Sequence, residues 1–380
     1  MKTIINGLVL KGLELEPVKE NIVIDDDGLI LEISKDSHEG EIIDAQNCIV
    51  SPRLVNAHTH IGDSIIKDQG EGLSLDEMVK PPNGIKHIAL ESADDDELIE
   101  AMRASMWDMY NHGISHFIDY REGGLEGVKL LKKACKDIPI TPIILARDSS
   151  FYGEDANFHM VKMALRKLLK EADGIGLSGF GEIDTTVAEI ICEKCAKASK
   201  ISSIHVAESE KNQLDSLEKI NKTEPQRAFE ANFNQIVHMT NPKKNDIDLL
   251  AESNASLCIC PRSNGDLAVG IVPLLEILNK GIKPLIGSDN IMINSPNLFR
   301  EIEFTLKMMK GLYKTHIDSR EVLKFATTNP VESISKLPKV NKSYIEVGQK
   351  AELFIARKKS ENPYLSLINR TEESDIIKII

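Results

Sequence analysis

The sequence predicts an α/β protein built on a (β/α)8 TIM-type barrel. Three observations carry that prediction. From about residue 94 onward, short apolar β-runs alternate with amphipathic helical stretches, giving eight candidate strands once residues 51–60 are included. Four of those runs end in histidine or aspartate, at His58 and His60, His205, His238 and Asp289. At ~30 residues per βα unit, the spacing places these ends on strands 1, 5, 6 and 8, so all of them reach the same end of a barrel.

Residues 1–50 read as short β-runs, at 3–9, 21–24 and 29–33, with Asp27-Gly28 as a turn signal. The run 51–60 closes on His58-Thr59-His60, and residues two apart on a strand point to one face, which is a metal-ligand geometry. Residues 61–90 show no clean period and contain Pro81-Pro82-Asn83-Gly84. In a barrel this is the loop after the first strand, either a cover for the site or a solvated linker.

A helix over 94–112 buries Leu98, Ile99, Met102, Met106 and Met109, and precedes a strand at 114–119. His112 and His116 flank that turn, away from the catalytic end, and read as structural. Strands at 142–146, 174–180, 203–206, 235–238, 256–260 and 284–286 follow. Helices at 125–135, 156–171, 185–198, 213–220, 224–231, 246–252 and 274–280 separate them, and helices at 299–312 and 320–326 close the series.

Composition narrows the function. At 380 residues, 42% apolar and 28% charged, the chain reads as one large globular domain with a small appendage. A net charge of −13 argues against nucleic acid or an anionic membrane as the main partner and for a small-molecule substrate. No apolar run is long enough for a membrane span or a signal peptide, so a cytoplasmic location is expected. Six cysteines in this length do not form a disulfide framework; Cys192 and Cys195 sit on a predicted helix with no second pair to complete a zinc site, and Cys258 and Cys260 read as buried thiols.

The His-x-His, His, His, Asp constellation resembles the amidohydrolase superfamily of metal-dependent hydrolases. His205-Val206-Ala207-Glu208 and Cys260-Pro261-Arg262-Ser263-Asn264 are similar to segments of its cytosine, guanine and S-adenosylhomocysteine deaminase branch, which is related to chlorohydrolases. The resemblance implies a small β-sandwich built from both termini, giving a sandwich part at 1–50, a barrel at 51–340 and the return part at 341–380. Residues 345–353 are similar to the family's return segment, with Glu352 where Asp is common.

It further implies one divalent ion, Zn²⁺ or alternatively Fe²⁺, on His58, His60, His205 and Asp289. The same donor set suits those metals on chemical grounds. His238 would then hydrogen-bond the nucleophile, Asp289 would accept its proton, and Glu208 would shuttle protons to a ring nitrogen and to departing ammonia. The implied activity is that of an aminohydrolase: hydroxide from a metal-activated water replaces an amino group on a purine, pyrimidine or related heterocycle. Similar proteins form homo-oligomers.

Three alternatives stand beside this. Glu182, at the end of strand 4, would bridge two ions if His238 held a second one, and the reaction would then be cyclic-amide hydrolysis. Removal of ring chloride is another hydrolytic option, and a scaffold relative without activity is the third. Arg121 and Arg147, at the ends of strands 2 and 3, would clamp an anionic substrate group or else pair with Glu122 or Asp148. Arg262 and Asn264 are further candidate substrate contacts, and Phe151, Tyr152, Phe158 and Phe180 are the candidates to stack on a planar ring.

Overall fold

A parallel sheet carries the histidine-bearing strands. The computed structural model describes residues 1–79, 83–153, 155–334, 337, 340 and 344–380, so Pro81-Pro82 of the long loop lies outside the described residues. Its strands are β1 (Leu54–His60), β2 (Ile114–Arg121), β3 (Thr141–Ala146), β4 (Gly174–Leu177), β5 (Ile201–Val206), β6 (Gln235–His238), β7 (Ser256–Ile259) and β8, which is split into Leu285–Ile286 and Asp289–Asn290. They lie in sequence order. The first half of β8 pairs with β7 and the second half with β1, so the two edges of the sheet are one interrupted strand, the arrangement of a TIM-like barrel.

The approach of β8 to β1 at this interruption requires glycine. A Cβ on Gly287 would lie 2.7 Å from the backbone nitrogen and oxygen of His58, so only glycine lets β8 approach β1 this closely. Asn56 stitches the same place: its Nδ2 donates to Ser288 Oγ at 2.8 Å, and its Oδ1 accepts from the Ser288 N–H at 3.0 Å.

The chain divides into two compact units, one of residues Asn56–Trp107 and Phe117–Pro296, the other of Met1–Val55, Asp108–His116 and Asn297–Ile380. In the first, the exit of β1 is not irregular. A 3-10 turn spans Ile61–Ile66, and helices follow at Leu75–Val79 and Ile85–Ser92. Ile66, Met78 and Met292 form a small apolar cluster beneath them. Helices this short give too few repeats for a period to emerge from sequence.

In the second unit, a four-stranded sheet (Lys2–Ile5, Asn21–Ile24, Ile30–Ser34, Glu41–Asp44) and a five-stranded sheet share one apolar core that includes Ile4, Val9, Ile22, Val50 and Ile355. The five-stranded sheet runs Ile376–Ile379, Leu353–Arg357, Cys48–Pro52, Leu8–Lys11, Glu16–Val18, and so draws on both ends of the chain. The predicted run 3–9 is two strands, Lys2–Ile5 and Leu8–Lys11, one in each sheet. Asn6, at φ 61, makes the break, and Gly7 passes within Cβ contact of Val50. His112 and His116 belong to this unit; Nδ1 of His112 hydrogen-bonds the Asp108 carbonyl at 2.8 Å.

Cys192 and Cys195 lie on the helix Thr185–Lys197 as free thiols, and burial pushes both up to about 12, which disfavours the thiolate a metal needs. Among the described residues no helix is long and apolar enough to cross a membrane.

Candidate active site

Four strand-end side chains meet at one buried point. β1 supplies His58 and His60, β5 supplies His205, and the second half of β8 supplies Asp289. Nε2 of His58 lies 3.2 Å from Nε2 of His205 and 3.0 Å from Oδ1 of Asp289, while Nε2 of His60 lies 3.6 Å from the same oxygen. One donor atom from each of the four falls within 4.8 Å of the others.

The electrostatics suit cation ligation. Burial lowers the pKa of His58, and burial followed by the Lys86 charge holds His60 well below the usual range. His205 is likewise held well down by burial and by the neighbouring imidazoles. All three are therefore neutral, the state in which imidazole ligates. Burial would raise Asp289, but the hydrogen bond with His58 and the surrounding imidazoles hold it well below the carboxylate range. Nδ1 of His205 donates to the Leu177 carbonyl at 2.7 Å, which leaves the Nε2 lone pair facing the cluster. Oδ2 of Asp289 accepts from Ser263 Oγ at 2.5 Å, which leaves Oδ1 for the cluster. The donor set thus fits a divalent ion on observations of charge, tautomer and distance.

Beside the cluster is a cavity of ≈ 230 Å³, whose walls include Glu182, Glu208, His238 and Arg147. Glu208 is half-buried, its side chain 15% exposed, and desolvation raises its carboxyl. Its Oε2 lies 3.7 Å from Nε2 of His238. Asn264, with its amide oriented so that Nδ2 faces the ring, donates to Nδ1 of His238 at 3.0 Å. The tautomer that accepts this bond on Nδ1 has its proton on Nε2, an atom with no hydrogen-bond partner among the described residues, and can present it as a donor. His238 has φ 80 and Asp289 has φ 61, both left-handed, so two of these strand ends hold backbone strain.

The other candidates separate. Glu182 lines the cavity but does not join the four-donor cluster; a second donor grouping within 4.8 Å is His238, Cys260 and Asp289, in which Cys260 is a member that sequence reasoning placed only as a buried thiol. Arg147 lines the cavity with its guanidinium held by the Gly176 carbonyl at 3.1 Å and by Glu122 at 3.4 Å. Arg121 is outside the cavity lining and pairs with Glu122 at 3.4 Å, so both arginines meet the carboxylate named as their alternative partner. Arg262 donates to the Ser295 carbonyl at 3.3 Å, and neither it nor Asn264 lines the cavity. Of the four aromatic candidates Phe180 lines it, with the Arg227 guanidinium stacked 4.1 Å from its ring centre.

Three residues at the site had escaped the sequence reading. Lys86 is buried on the helix Ile85–Ser92 and lines the cavity. Glu224 lines it too, and its Oε2 accepts the N–H of Ala207, one residue before Glu208. Ser263 orients Asp289 and stood inside the quoted Cys-Pro-Arg-Ser-Asn segment. A buried lysine and a buried glutamate at helix starts have no local sequence signal, since both residue types are ordinarily solvated.

A barrel with neutral imidazoles and a carboxylate gathered at its strand ends defines a metal-dependent barrel enzyme. Residues 49–379 match the model of the amidohydrolase family, and the chain belongs to that family. It is a hydrolase acting on carbon–nitrogen bonds. It is 46% identical over 381 residues, 100% of this chain and 97% of the relative, to a Methanothermobacter thermautotrophicus protein provisionally named an aminohydrolase. The 5-methylthioadenosine/S-adenosylhomocysteine deaminase of Thermoanaerobacter pseudethanolicus is 26% identical over 92% of this chain and 84% of its own length. The crystal structure of a Xanthomonas campestris adenosine deaminase with bound zinc superposes with a TM-score of 0.85 at 16% identity, covering 100% of this chain and 91% of that one.

Proposed function

We propose that the protein is a mononuclear, zinc-dependent aminohydrolase that removes an amino group from a ring carbon of a purine, pyrimidine or related heterocycle as ammonia. The observation that carries this reading is the pairing of one four-donor cluster with Glu208 and Nε2 of His238, 3.7 Å apart, on a single cavity. His58, His60, His205 and Asp289 would hold the ion. When bound, such an ion lowers the pKa of its water to about 7 and so supplies a nucleophile at neutral pH.

This chain's own residues do the rest. Glu208, kept protonated more readily by burial, donates to a ring nitrogen and makes the neighbouring carbon electrophilic. The Nε2–H of His238 hydrogen-bonds the entering oxygen and fixes its line of approach. Asp289 takes one proton of the entering water. Glu208, deprotonated by its donation to the ring nitrogen, takes the other as the carbonyl forms and relays it to the amino group as its bond to carbon breaks, and the proton held by Asp289 then restores Glu208 to its acid form. Phe180 offers an aromatic face, and Arg147 a polar contact, for the heterocycle.

The hydrogen bond between Asn264 Nδ2 and Nδ1 of His238 supports one ion over two, because the tautomer that accepts it has its proton on Nε2 and no lone pair there to ligate. The relatives named as deaminases support the same reaction class.

The test is ammonia release from a panel of aminopurines, aminopyrimidines and their nucleosides by the zinc-loaded protein. Release that stops on chelation and returns with zinc is expected. Turnover confined to cyclic amides or chlorinated rings, with no ammonia from any aminated ring, would overturn the proposal.

A further inference from the structure

The cluster histidines differ in what stands behind them. Nδ1 of His205 donates to the Leu177 carbonyl, and Nδ1 of His58 is buried with no hydrogen-bond partner among the described residues. Nδ1 of His60 makes no hydrogen bond among the described residues; the carboxylate oxygen beside it, at ion-pair distance, is Oε1 of Glu122 at 3.4 Å. That carboxylate is itself clamped. Lys86 Nζ donates to Oε1 at 3.0 Å and to Oδ2 of Asp63 at 3.0 Å, while Arg147 reaches Oε1 and Arg121 reaches Oε2, each at 3.4 Å. The side chains of Lys86, Asp63, Arg121 and Arg147 are all nearly inaccessible to solvent.

We propose that Glu122 is a positioning residue for His60, held by Lys86, Arg147 and Arg121 so that it fixes the ring as the Nδ1–H tautomer and aims the Nε2 lone pair at the cluster. Burying three cations and two carboxylates beside a metal site is costly, and the arrangement does more than balance charge. Arg121 and Arg147 grip Glu122 from the ends of β2 and β3, and Lys86 grips it from the helix Ile85–Ser92, so the carboxylate has no freedom to turn from His60. A carboxylate behind an imidazole orients the ring and raises the basicity of the far nitrogen. The loop after β1 thereby takes part in building the metal site: Lys86 reaches back from it to the residue that orients the ligand closing β1.

The inference rests on the reading of the four-donor cluster as a metal site, and the experiment separates the two. Zinc dissociation constants are measured by competition with a chromophoric chelator for wild type, Glu122→Gln, the pair Glu122→Leu with Lys86→Met, and Asp63→Asn. Circular dichroism checks that each is folded. Glu122→Gln keeps the shape and an acceptor but loses the charge; the pair removes the acceptor and its main cation together. Loss of an outer partner typically weakens a metal site 10- to 100-fold, so about tenfold is expected for Glu122→Gln and up to ~100-fold for the pair. Asp63→Asn loosens the same charge cluster without touching His60, and is expected to stay within about threefold of wild type.

A second readout is the ¹⁵N spectrum of histidine-labelled, zinc-loaded protein, where the Nδ1–H resonance of His60 should shift in Glu122→Gln and stay in place in Asp63→Asn. Wild type that binds no zinc would defeat the metal reading and this inference with it. Zinc-binding wild type with Glu122→Gln unchanged in affinity and in the His60 resonance would defeat the positioning role alone, whether or not the paired variant folds. Equal losses in Asp63→Asn and Glu122→Gln would reduce Glu122 to a structural charge and overturn the proposal as well.

Discussion

Replacing Glu224 by glutamine tests the electrostatics of the cavity wall through stability. Glu224 is 2% exposed, and burial pushes its carboxyl up from 4.5 to about 7, against the opposing pull of the Ala207 N–H and Arg227. Its folded value therefore lies above its unfolded one. A group of this kind contributes stability that is fully present below 4.5 and is lost as the pH rises through 7. At 1.36 kcal/mol per unit, the shift corresponds to roughly 3 kcal/mol lost from wild type between about pH 4.5 and pH 9.

The Glu224→Gln side chain keeps an oxygen to accept the Ala207 N–H, which lies 2.9 Å from the wild-type carboxylate, but has no proton to lose. The stability difference between variant and wild type should accordingly move by about 3 kcal/mol in favour of the variant across that window. Urea unfolding followed by circular dichroism at pH 5, 7 and 9 measures it. A difference constant with pH to within about 0.5 kcal/mol would show that the carboxyl of Glu224 is not raised in the folded protein, and would refute the reasoning.

Other perturbations address the chemistry and the scaffold. Glu208→Gln should retain zinc while turnover falls by ~10²- to 10⁴-fold, read from metal content and ammonia release on the same preparation; unchanged turnover would remove the proton-transfer role. Gly287→Ala drives a methyl to 2.7 Å from the backbone of His58 and should cost ~1–3 kcal/mol with a loss of zinc affinity, checked by melting temperature and chelator competition. His112 is lowered by burial, but the Asp108 side chain and carbonyl outweigh that and raise it. Its contribution is therefore fully present below the unfolded value of 6.5 and lost as pH rises through the folded one, so His112→Gln should lower the melting temperature more at pH 5.5 than at pH 8.5.

Sequence and structure agree where periodicity and burial reinforce each other. The barrel strands are short, apolar and regularly spaced, and the residue closing β1 or β6, or opening the second half of β8, stands out because a polar group interrupts an apolar run. His58, His60, His205 and Asp289 were legible for that reason.

What escaped depends on contacts across the fold. Asn6 turns one β-run into two strands of different sheets through a single left-handed residue. Asp63 on the turn Ile61–Ile66, Lys86 on the helix Ile85–Ser92 and Glu122 just after β2 lie apart in sequence, and only folding makes one charge cluster of them. The arginines at the ends of β2 and β3 looked equally suited to a substrate anion or to an internal carboxylate, and the deciding fact, Glu122 lying between them, is a tertiary one. The strand at Ile376–Ile379 and the helix Pro363–Arg370 are brief enough that packing rather than pattern defines them.

The central claim is one ion in a deaminase-type site, and metal content per chain tests it most directly. Elemental analysis of wild type and of Glu182→Gln, each purified in the presence of zinc and then desalted, should give about one equivalent in both. About two equivalents in wild type, falling in Glu182→Gln, would make Glu182 a bridging ligand and contradict the account.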